Sequence, residues 1–223
     1  MLSIVIPALN EGAHLPGTLE SLSVTTPWPV EIVVSDGGSV DATVEIAREH
    51  GALIASVRQG RGQQLAAGAD RSSGDWLFFL HADTRLSGRW FVEVDRFISR
   101  PENRRKAAYC QFALDDKAAQ ARDLERRVAW RSHRLGMPYG DQGLLISRGF
   151  YRVLGGFRPY PVFEDVDLVR RIGRCRLVSL PVQATTSADR FRQHGYRRRS
   201  ACNVTLLTLY FLGMPPSLLA KVY

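Results

Sequence analysis

Short apolar runs alternate with helical patterns along the first part of the chain. The runs lie at residues 4–6, 31–35, 52–57 and 76–80. After the first run, Leu15, Leu19 and Leu22 recur at helical spacing and give one buried stripe. Strands separated by helical patterns of roughly ten residues predict right-handed β-α-β units and a parallel sheet.

The alternation continues without a break to about residue 185. The later elements are predicted at residues 90–98 (helix), 107–114 (strand), 118–135 (helix), 144–146 (strand), from 163 (helix), and at 177–180 and 182–185 (strands). The pattern therefore predicts one α/β domain over residues 1–187, with a mostly parallel central sheet flanked by helices. Residues 188–223, a basic segment followed by an apolar helix, are expected to be appended to the same domain.

Composition narrows the possible partners. The chain has 223 residues and a formal net charge of +8, which favours anionic partners such as phosphates, nucleotides or an anionic membrane surface. Its three cysteines are widely spaced, so neither a disulfide framework nor a zinc site is indicated, and a cytoplasmic location is expected. The chain opens directly on a strand pattern, so no secretory signal is expected. The apolar stretch 204–214 is about half the length of a spanning helix.

The run at residues 76–80 is apolar at every position, which is typical of a strand buried on both faces. It ends in His81 and Asp83. Ligands of open α/β sheets bind at the carboxyl edge of the strands, so Asp83 is well placed to hold a metal ion. The alternative is that Asp83 and Thr84 only start a turn before the next helix.

Four polar clusters each follow a predicted strand. They are Asn10 with Glu11, Asp36 to Ser39, Arg61 to Gln63, and Asp83. Together they offer carboxylates to ribose or base donors, glycines that let the backbone approach, an arginine for phosphate and a carboxylate for a divalent cation. This set predicts a nucleoside-diphosphate site. The alternative is a helix cap at Asn10, at Ser39 or Asp41, and at Thr84.

These motifs resemble those of family 2 glycosyltransferases with the GT-A fold, over about residues 2–185. They are Pro7-x-x-Asn10-Glu11, Asp36-Gly-Gly-Ser39-x-Asp41, the Asp83 loop, and Glu164-Asp165. A fuller string is similar to a small bacterial subgroup known as radical-SAM/selenodomain-associated or arsenosugar-biosynthesis glycosyltransferases. That string comprises residues 60–64, 80–84, 139–143, 155–157 and 164–167. The resemblance implies a nucleoside-diphosphate sugar as donor.

The resemblance also implies a role for individual residues in the donor site. Pro7, Glu11 and Asp36 are expected to surround the nucleoside. The metal loop of the family has two aspartates, and here His81 stands in the first position, so Asp83 is the expected ligand of Mg²⁺ or Mn²⁺. Two alternatives stay open for His81, which either ligates the metal as a neutral imidazole or lies behind the site. Donor diphosphate and waters would complete the shell. The full set of predicted donor-binding residues is Pro7, Asn10, Glu11, Asp36, Ser39, Arg61, Gln63, Asp83, Asp141 and Gln142.

An inverting transfer to an acceptor hydroxyl needs a general base and stabilisation of the leaving diphosphate. Asp165 resembles the base of the family, with Glu164 beside it, so both are predicted to be catalytic. Metal at Asp83 and the charge of Arg61 are expected to offset the charge on the leaving group. The alternative for the acidic pair is that it only fills the first turn of a helix. For Asp141 and Gln142 the alternative is a polar turn.

Other functions stay open at this point. A non-catalytic nucleotide-sugar binding protein would share the donor site, and a nucleotidyltransferase would share the sheet and the metal aspartate. A nucleic-acid partner is not expected, because the basic residues form no recognised reader motif. The cluster at Arg190, Arg192 and His194 is a candidate for contacting the diphosphate. The tail from Asn203 is expected either to contact the inner face of a membrane peripherally or to pack on the body or in a homodimer.

Overall fold

The computed structural model describes residues 1–222, in which an eight-stranded sheet forms the centre of the fold. The strands are β1 Leu2–Ala8, β2 Val30–Asp36, β3 Leu53–Ser56, β4 Trp76–Phe79, β5 Thr84–Leu86, β6 Ala107–Leu114, β7 Leu144–Ser147 and β8 Leu177–Thr186. Their order across the sheet is β3-β2-β1-β4-β7-β6-β8-β5.

Parallel pairing of β1 to β4 brings the predicted ligand loops to one edge. Strand β1 pairs with β2 and with β4 in parallel, and β2 pairs with β3 in the same way. Ala8 lies opposite Asp36, so the loops after β1 and β2 leave the sheet side by side. Strand β7 is antiparallel to both β4 and β6, and β5 is antiparallel to β8, whereas β6 and β8 are parallel. The prediction of a mostly parallel sheet is therefore confirmed.

Helices cover both faces of the sheet. They are α1 Leu15–Leu22, α2 Thr43–Glu49, α3 Arg61–Arg71, α4 Trp90–Ile98, α5 Ala119–Leu135, α6 Arg148–Val153, α7 Glu164–Ile172, α8 Asp189–His194, α9 Tyr196–Phe211 and α10 Pro216–Leu219, with short 3₁₀ turns at Pro101–Arg105, Gly140–Gln142 and Arg174–Arg176. Alternate residues of β4 enter different cores: Phe78 packs with Trp90, and Phe79 with Leu168. Burial on both faces explains why β4 is apolar at every position.

Strand β8 is one element where the sequence predicts two. Its register against β6 shifts between Tyr109 and Gln111, which lie opposite Ser179 and Gln183. Pro181 stands within this irregular stretch. Because proline has no N–H to give to a ladder, it is tolerated at such a bulge, and the strand continues beyond it.

Two further elements differ from the sequence-based expectation. Thr84–Leu86 forms β5, and the Thr84 hydroxyl hydrogen-bonds that of Thr186 at 2.8 Å, so Thr84 does not cap a helix. The C-terminal helix begins at Tyr196, seven residues before Asn203, and breaks before α10. Within residues 1–222, no helix is long and apolar enough to cross a bilayer.

Candidate active site

The loops after β1 and β2 are locked together by hydrogen bonds. The Asn10 N–H donates to Ser39 Oγ at 2.9 Å, and the Val40 N–H donates to Asn10 Oδ1 at 2.9 Å. The Asp36 carboxylate accepts from the N–H groups of Gly38 and Ser39. Asn10, Asp36 and Ser39 thus use their side chains to shape the loops, and among the described residues they are not part of the cavity wall.

A cavity of about 760 Å³ opens at the carboxyl ends of β1 and β4. That volume suits a ligand of nucleotide-sugar size. Of the residues predicted from the sequence, Pro7, Glu11, Arg61 and Asp83 line it together. The strand ends therefore bring two carboxylates and a guanidinium to one space, as the positions of the motifs predict.

Glu11 and Asp83 place negative charge on one side of this cavity. Burial raises the pKa of Glu11, and the charge of Asp83 raises it further, whereas His14 and Arg190 act in the opposite direction. The Glu11 backbone N–H donates to Thr43 Oγ1 at 2.8 Å, which fixes the loop to the start of α2. Two acids in one pocket attract hydroxyl donors or a cation.

Arg61 lies between His81 and Glu164. Its Nη2 contacts both ring nitrogens of His81, of which Nε2 is the nearer, and its Nε is 3.2 Å from Oε1 of Glu164. Burial, followed by the charges of Arg61 and Arg190, lowers the pKa of His81 well below its usual value. His81 is therefore a neutral ring in contact with a guanidinium, which is a poor position for a ligand of a cation.

The donor atoms available for a metal ion are few. In residues 1–222 no group of three or more His, Cys, Asp or Glu side chains is arranged to hold one. The predicted metal ligand Asp83 lines the cavity, and its Oδ1 accepts a hydrogen bond from the Thr84 hydroxyl at 3.3 Å. A single carboxylate fits a Mg²⁺ or Mn²⁺ ion that takes most of its ligands from a diphosphate and water.

The Glu164-Asp165 pair begins α7 beside the cavity. Asp165 Oδ2 accepts from the Gly140 N–H at 2.7 Å, and Oδ1 accepts from the Val166 N–H at 2.7 Å. These two donors hold the half-buried carboxylate in one orientation. Phe163, directly before the helix, has a φ of 62°, and its ring stacks on Tyr210 of α9 at 5.1 Å. A left-handed conformation is strained for such a bulky residue and is often found at functional sites.

Glu164 differs from its neighbour because its side chain is only 1% exposed. Burial raises the pKa of Glu164 to about 8, although Arg61 opposes the shift, and Asp165 adds to it. Apart from its contact with Arg61, neither carboxyl oxygen has a hydrogen-bond partner among the described residues. Burial therefore disfavours the charged form of Glu164, whereas the Asp165 carboxylate is half-buried and oriented by two N–H donors.

Asp141 and Gln142 have separate surroundings. Gln142 accepts a hydrogen bond from Ser132 Oγ at 2.8 Å and donates one to the Cys110 carbonyl at 3.0 Å. Its amide therefore holds the turn, which agrees with the alternative that Gln142 belongs to a polar turn. Burial raises the pKa of Asp141 to about 6, with Arg131 lowering it and Asp165 raising it. The negative charge of Asp165 therefore acts on the carboxyl group of Asp141.

Gln64, which the sequence analysis did not single out, lines the cavity, whereas the predicted Gln63 is exposed. The Gln64 amide donates to the carbonyls of Ala8 at 2.7 Å and Ser35 at 3.0 Å, so it joins the ends of β1 and β2. The helical spacing of the sequence could have identified Gln64, because it lies on the same face of α3 as the buried Leu65 and Gly68.

The C-terminal segment closes one side of the cavity with basic residues. Arg190 and His194 from α8, and Arg199 from α9, line it. Arg192 has another role, because its guanidinium pairs with Asp115 at 3.3 Å and with Asp189 at 2.9 Å. Of the three basic candidates named from the sequence, two therefore reach the cavity.

Sequence comparison connects this chain with known proteins. The model of the family described as "Glycosyl transferase family 2" matches residues 3–104. A PGL/p-HBAD biosynthesis glycosyltransferase of Mycobacterium bovis (strain BCG / Pasteur 1173P2) is 39% identical over 178 residues, which cover 75% of this chain and 67% of that protein. The matched region extends beyond the residues of the family model.

Solved structures share the fold at low sequence identity. S. aureus TarS residues 1–349 in complex with UDP superposes with a TM-score of 0.63 and 15% identity, over 86% of this chain and 62% of that one. This chain spans only 38% of a longer TarS structure. Glucosyl-3-phosphoglycerate synthase from Mycobacterium tuberculosis, in complex with Mn²⁺, UDP and glucosyl-3-phosphoglycerate, gives a TM-score of 0.57 and 23% identity, over 84% of this chain and 70% of that one.

Proposed function

Because the chain belongs to glycosyl transferase family 2, we propose that it transfers a sugar from a nucleoside-diphosphate sugar to an acceptor hydroxyl with inversion at the anomeric carbon. The observation that carries this proposal is the cavity at the strand ends, where Glu11, Asp83 and Arg61 meet. Arg61 also lines a smaller pocket together with Asp165. A donor site and a candidate base are therefore neighbours.

The GT-A fold expected from the sequence is confirmed, since the sheet and its helices match known glycosyltransferase structures. Pro7, Glu11 and Gln64 then lie on the side of the cavity formed by the ends of β1 and β2, which suits the nucleoside. Arg61, Arg190 and Arg199 line the cavity together with Asp83 and suit the diphosphate. Asp36 and Ser39 support this site by shaping its loops.

In the proposed reaction, Asp165 accepts the proton of the acceptor hydroxyl as that oxygen attacks the anomeric carbon. Its orientation comes from the N–H groups of Gly140 and Val166. Arg61 and Arg190 stabilise the negative charge of the departing diphosphate. Asp83 would hold Mg²⁺ or Mn²⁺, which supplies further charge neutralisation when bound. General-base catalysis of this kind contributes roughly 10² to 10⁴ in rate.

A thermal-shift panel tests the donor site. UDP, GDP, CDP, dTDP and ADP are compared with and without Mn²⁺, and UDP comes first because TarS and the mycobacterial synthase were solved with it. A nucleotide at 100 times its dissociation constant stabilises by about 2.7 kcal/mol, or roughly 5 to 10 °C. We expect one nucleotide to give a metal-dependent shift that is lost in Asp83→Ala.

Two controls complete this experiment. Asp165→Asn should keep the shift but lose turnover of the matching nucleotide sugar by about 10² to 10⁴. Turnover that survives in Asp165→Asn would remove that residue as the base. Binding without turnover in the wild type would favour a non-catalytic nucleotide-sugar binding protein. No shift with any nucleotide would overturn the proposed donor site.

The finer assignments are also proposals. Membership of the radical-SAM/selenodomain-associated, arsenosugar-biosynthesis subgroup rests on the motif string at residues 60–64, 80–84, 139–143, 155–157 and 164–167. A cytoplasmic location is supported by three free cysteines.

For the C-terminal end we propose peripheral contact with an anionic lipid surface, in preference to a homodimer contact. The reason is that exposed apolar residues there accompany a net charge of +8.

A further inference from the structure

His14 connects the donor cavity to the C-terminal segment. Its Nδ1 lies 3.2 Å from Oε2 of Glu11, and its Nε2 lies 3.0 Å from Oδ2 of Asp189. A neutral imidazole donates through only one of its nitrogens, whereas the imidazolium donates through both. Since both neighbours are carboxylates, the geometry is complete only when His14 carries a proton on each nitrogen.

The two carboxylates belong to two elements that are far apart in sequence. Glu11, in the loop after β1, is part of the wall that we assign to the nucleoside. Asp189 is the first residue of α8, which brings Arg190 and His194 into the wall that we assign to the diphosphate. The contacts of His14 with Glu11 and Asp189 therefore tie the start of α8 to the loop after β1.

A second anchor of α8 lies away from the cavity. The Ala188 N–H donates to Asp115 Oδ1 at 2.7 Å, and Arg192 pairs with Asp115 and Asp116 near the start of α5. These contacts hold α8 to the loop between β6 and α5 and do not involve Glu11. The segment can thus remain attached to the body when the His14 contact is lost, while its position over the cavity becomes less well defined.

We propose that doubly protonated His14 is a positioning residue, which holds α8 with Arg190 and His194 against the donor diphosphate, so that donor affinity falls when His14 loses a proton. This proposal rests on the proposed function, because it assumes that the cavity takes a nucleoside diphosphate. Arg190 and His194 make the contact with the ligand, and His14 acts through them and through Glu11.

The charges around His14 favour this form. Burial lowers the pKa of His14, but the hydrogen bond to Asp189 and the charge of Glu11 outweigh it, with Asp83 adding to the effect, so the pKa lies above 6.5. Three arginines lie near this contact. Arg192 pairs with Asp189, the charge of Arg190 lowers the pKa of Glu11, and the Arg85 side chain lies beside Gly17 of α1. The contact is therefore fully formed below pH 6.5 and is lost as the pH rises through the raised pKa. At the acidic end, the raised pKa of Glu11 sets the limit.

Titration calorimetry of UDP with Mn²⁺ between pH 6 and 9 tests the proposal. For the wild type we expect the dissociation constant to rise about fivefold to tenfold across this range. At every pH, His14→Gln should bind UDP as weakly as the wild type does at high pH. Its dissociation constant should therefore change much less with pH. Asp189→Asn, at a side chain that is 47% exposed, should show the same reduced dependence.

Two matched variants separate His14 from other titrating groups. His50→Gln removes an exposed histidine at the end of α2 and should leave the pH profile unchanged. His194→Gln removes the histidine that α8 contributes to the cavity wall, and it should weaken binding but keep the dependence on His14. A profile of His14→Gln or Asp189→Asn that runs parallel to that of the wild type would overturn the proposal. Absence of UDP binding in every protein, and of any nucleotide shift in the panel, would instead overturn the proposed function.

Discussion

Glu164 is a buried acid whose oxygens, apart from an ion pair with Arg61 at 3.2 Å, have no hydrogen-bond partner among the described residues. Its pKa is raised from 4.5 to about 8, chiefly by burial. Below pH 4.5 the group is protonated in both the folded and the unfolded chain, and the shift has no effect on stability. Between the two values the unfolded chain ionises and the folded chain does not, so ionisation favours unfolding.

Glu164→Gln should therefore stabilise the protein relative to the wild type, by an amount that grows with pH. The difference in free energy of unfolding should increase by at most about 1.4 kcal/mol per pH unit over this interval. Thermal or urea unfolding of both proteins at pH 5.5, 6.5 and 7.5 measures it. Glu102→Gln, at an exposed position, is the control and should show no such trend. A gain that is constant over pH would mean that Glu164 is ionised in the folded protein.

At the scale of single residues, the sequence predicted which strand ends form the site but only some of the side chains that face it. Glu11, Arg61 and Asp83 meet in the cavity as expected. Asn10 and Ser39 instead bond across two loops that are 29 residues apart in sequence. That pairing depends on the relative position of β1 and β2, which the local pattern of polar residues does not contain. His14 was missed for the same reason, since Asp189 is 175 residues away.

At the scale of secondary-structure elements, the start of α3 lies close to the backbone of residues 158–160. The Gly62 N–H donates to the Tyr160 carbonyl at 3.1 Å. A Cβ built on Gly62 would overlap the carbonyl oxygen of Arg158 and lie 2.8 Å from that of Tyr160. Because both obstacles are backbone atoms, neither can move as a flexible side chain would. The close approach places Arg61, the preceding residue, beside Glu164 and His81.

Gly62→Ala should consequently push the start of α3 away from residues 158–160. We expect a loss of about 1–3 kcal/mol in stability, together with weaker nucleotide binding because Arg61 moves. Gly149→Ala is the matched control: Gly149 lies in α6, its Cβ would meet nothing within 4 Å, and the change should stabilise by about 0.5–1 kcal/mol. The unfolding midpoint of each variant, and the thermal shift that the nucleotide causes in it, are then compared. Equal stability of the two variants would contradict the packing of α3 described above.

The elements themselves were largely predictable, because the hydrophobic period of most of them is local. Helix α4 spans the predicted residues 90–98, and β6 spans the predicted residues 107–114. Strand direction was harder to predict. Strand β7 runs antiparallel between β4 and β6, although its apolar sequence resembles that of the parallel strands. Burial on both faces gives the same pattern in either direction, so only the tertiary pairing decides it.

For the whole molecule, the C-terminal end combines anchoring with exposure. Tyr210 stacks on Phe163, directly before α7, and Arg170 in the last turn of α7 lies over the ring of Phe211 at 5.0 Å, so the end of α9 packs against α7. Beyond this contact, Leu212 is 78% exposed and Leu218 is 51% exposed. Exposed apolar residues in a chain of net charge +8 suit the boundary between anionic headgroups and acyl chains. The hypothesis that the tail packs on the body therefore concerns α9, and the hypothesis that it contacts a membrane concerns the exposed residues after α9.

Flotation with vesicles tests the exposed part. We expect the protein to bind vesicles that contain phosphatidylglycerol, to bind neutral vesicles less, and to dissociate at high salt because screening weakens the attraction. Leu212→Ser combined with Leu218→Ser should reduce binding, whereas Val153→Ser, at an apolar site that is 75% exposed on α6, should not. If no protein floats and the wild type instead elutes at a size that depends on its concentration and on Leu212 and Leu218, this surface is a homodimer contact. In either case, binding of the nucleotide should be unchanged, because the two leucines lie outside the described wall of the donor cavity.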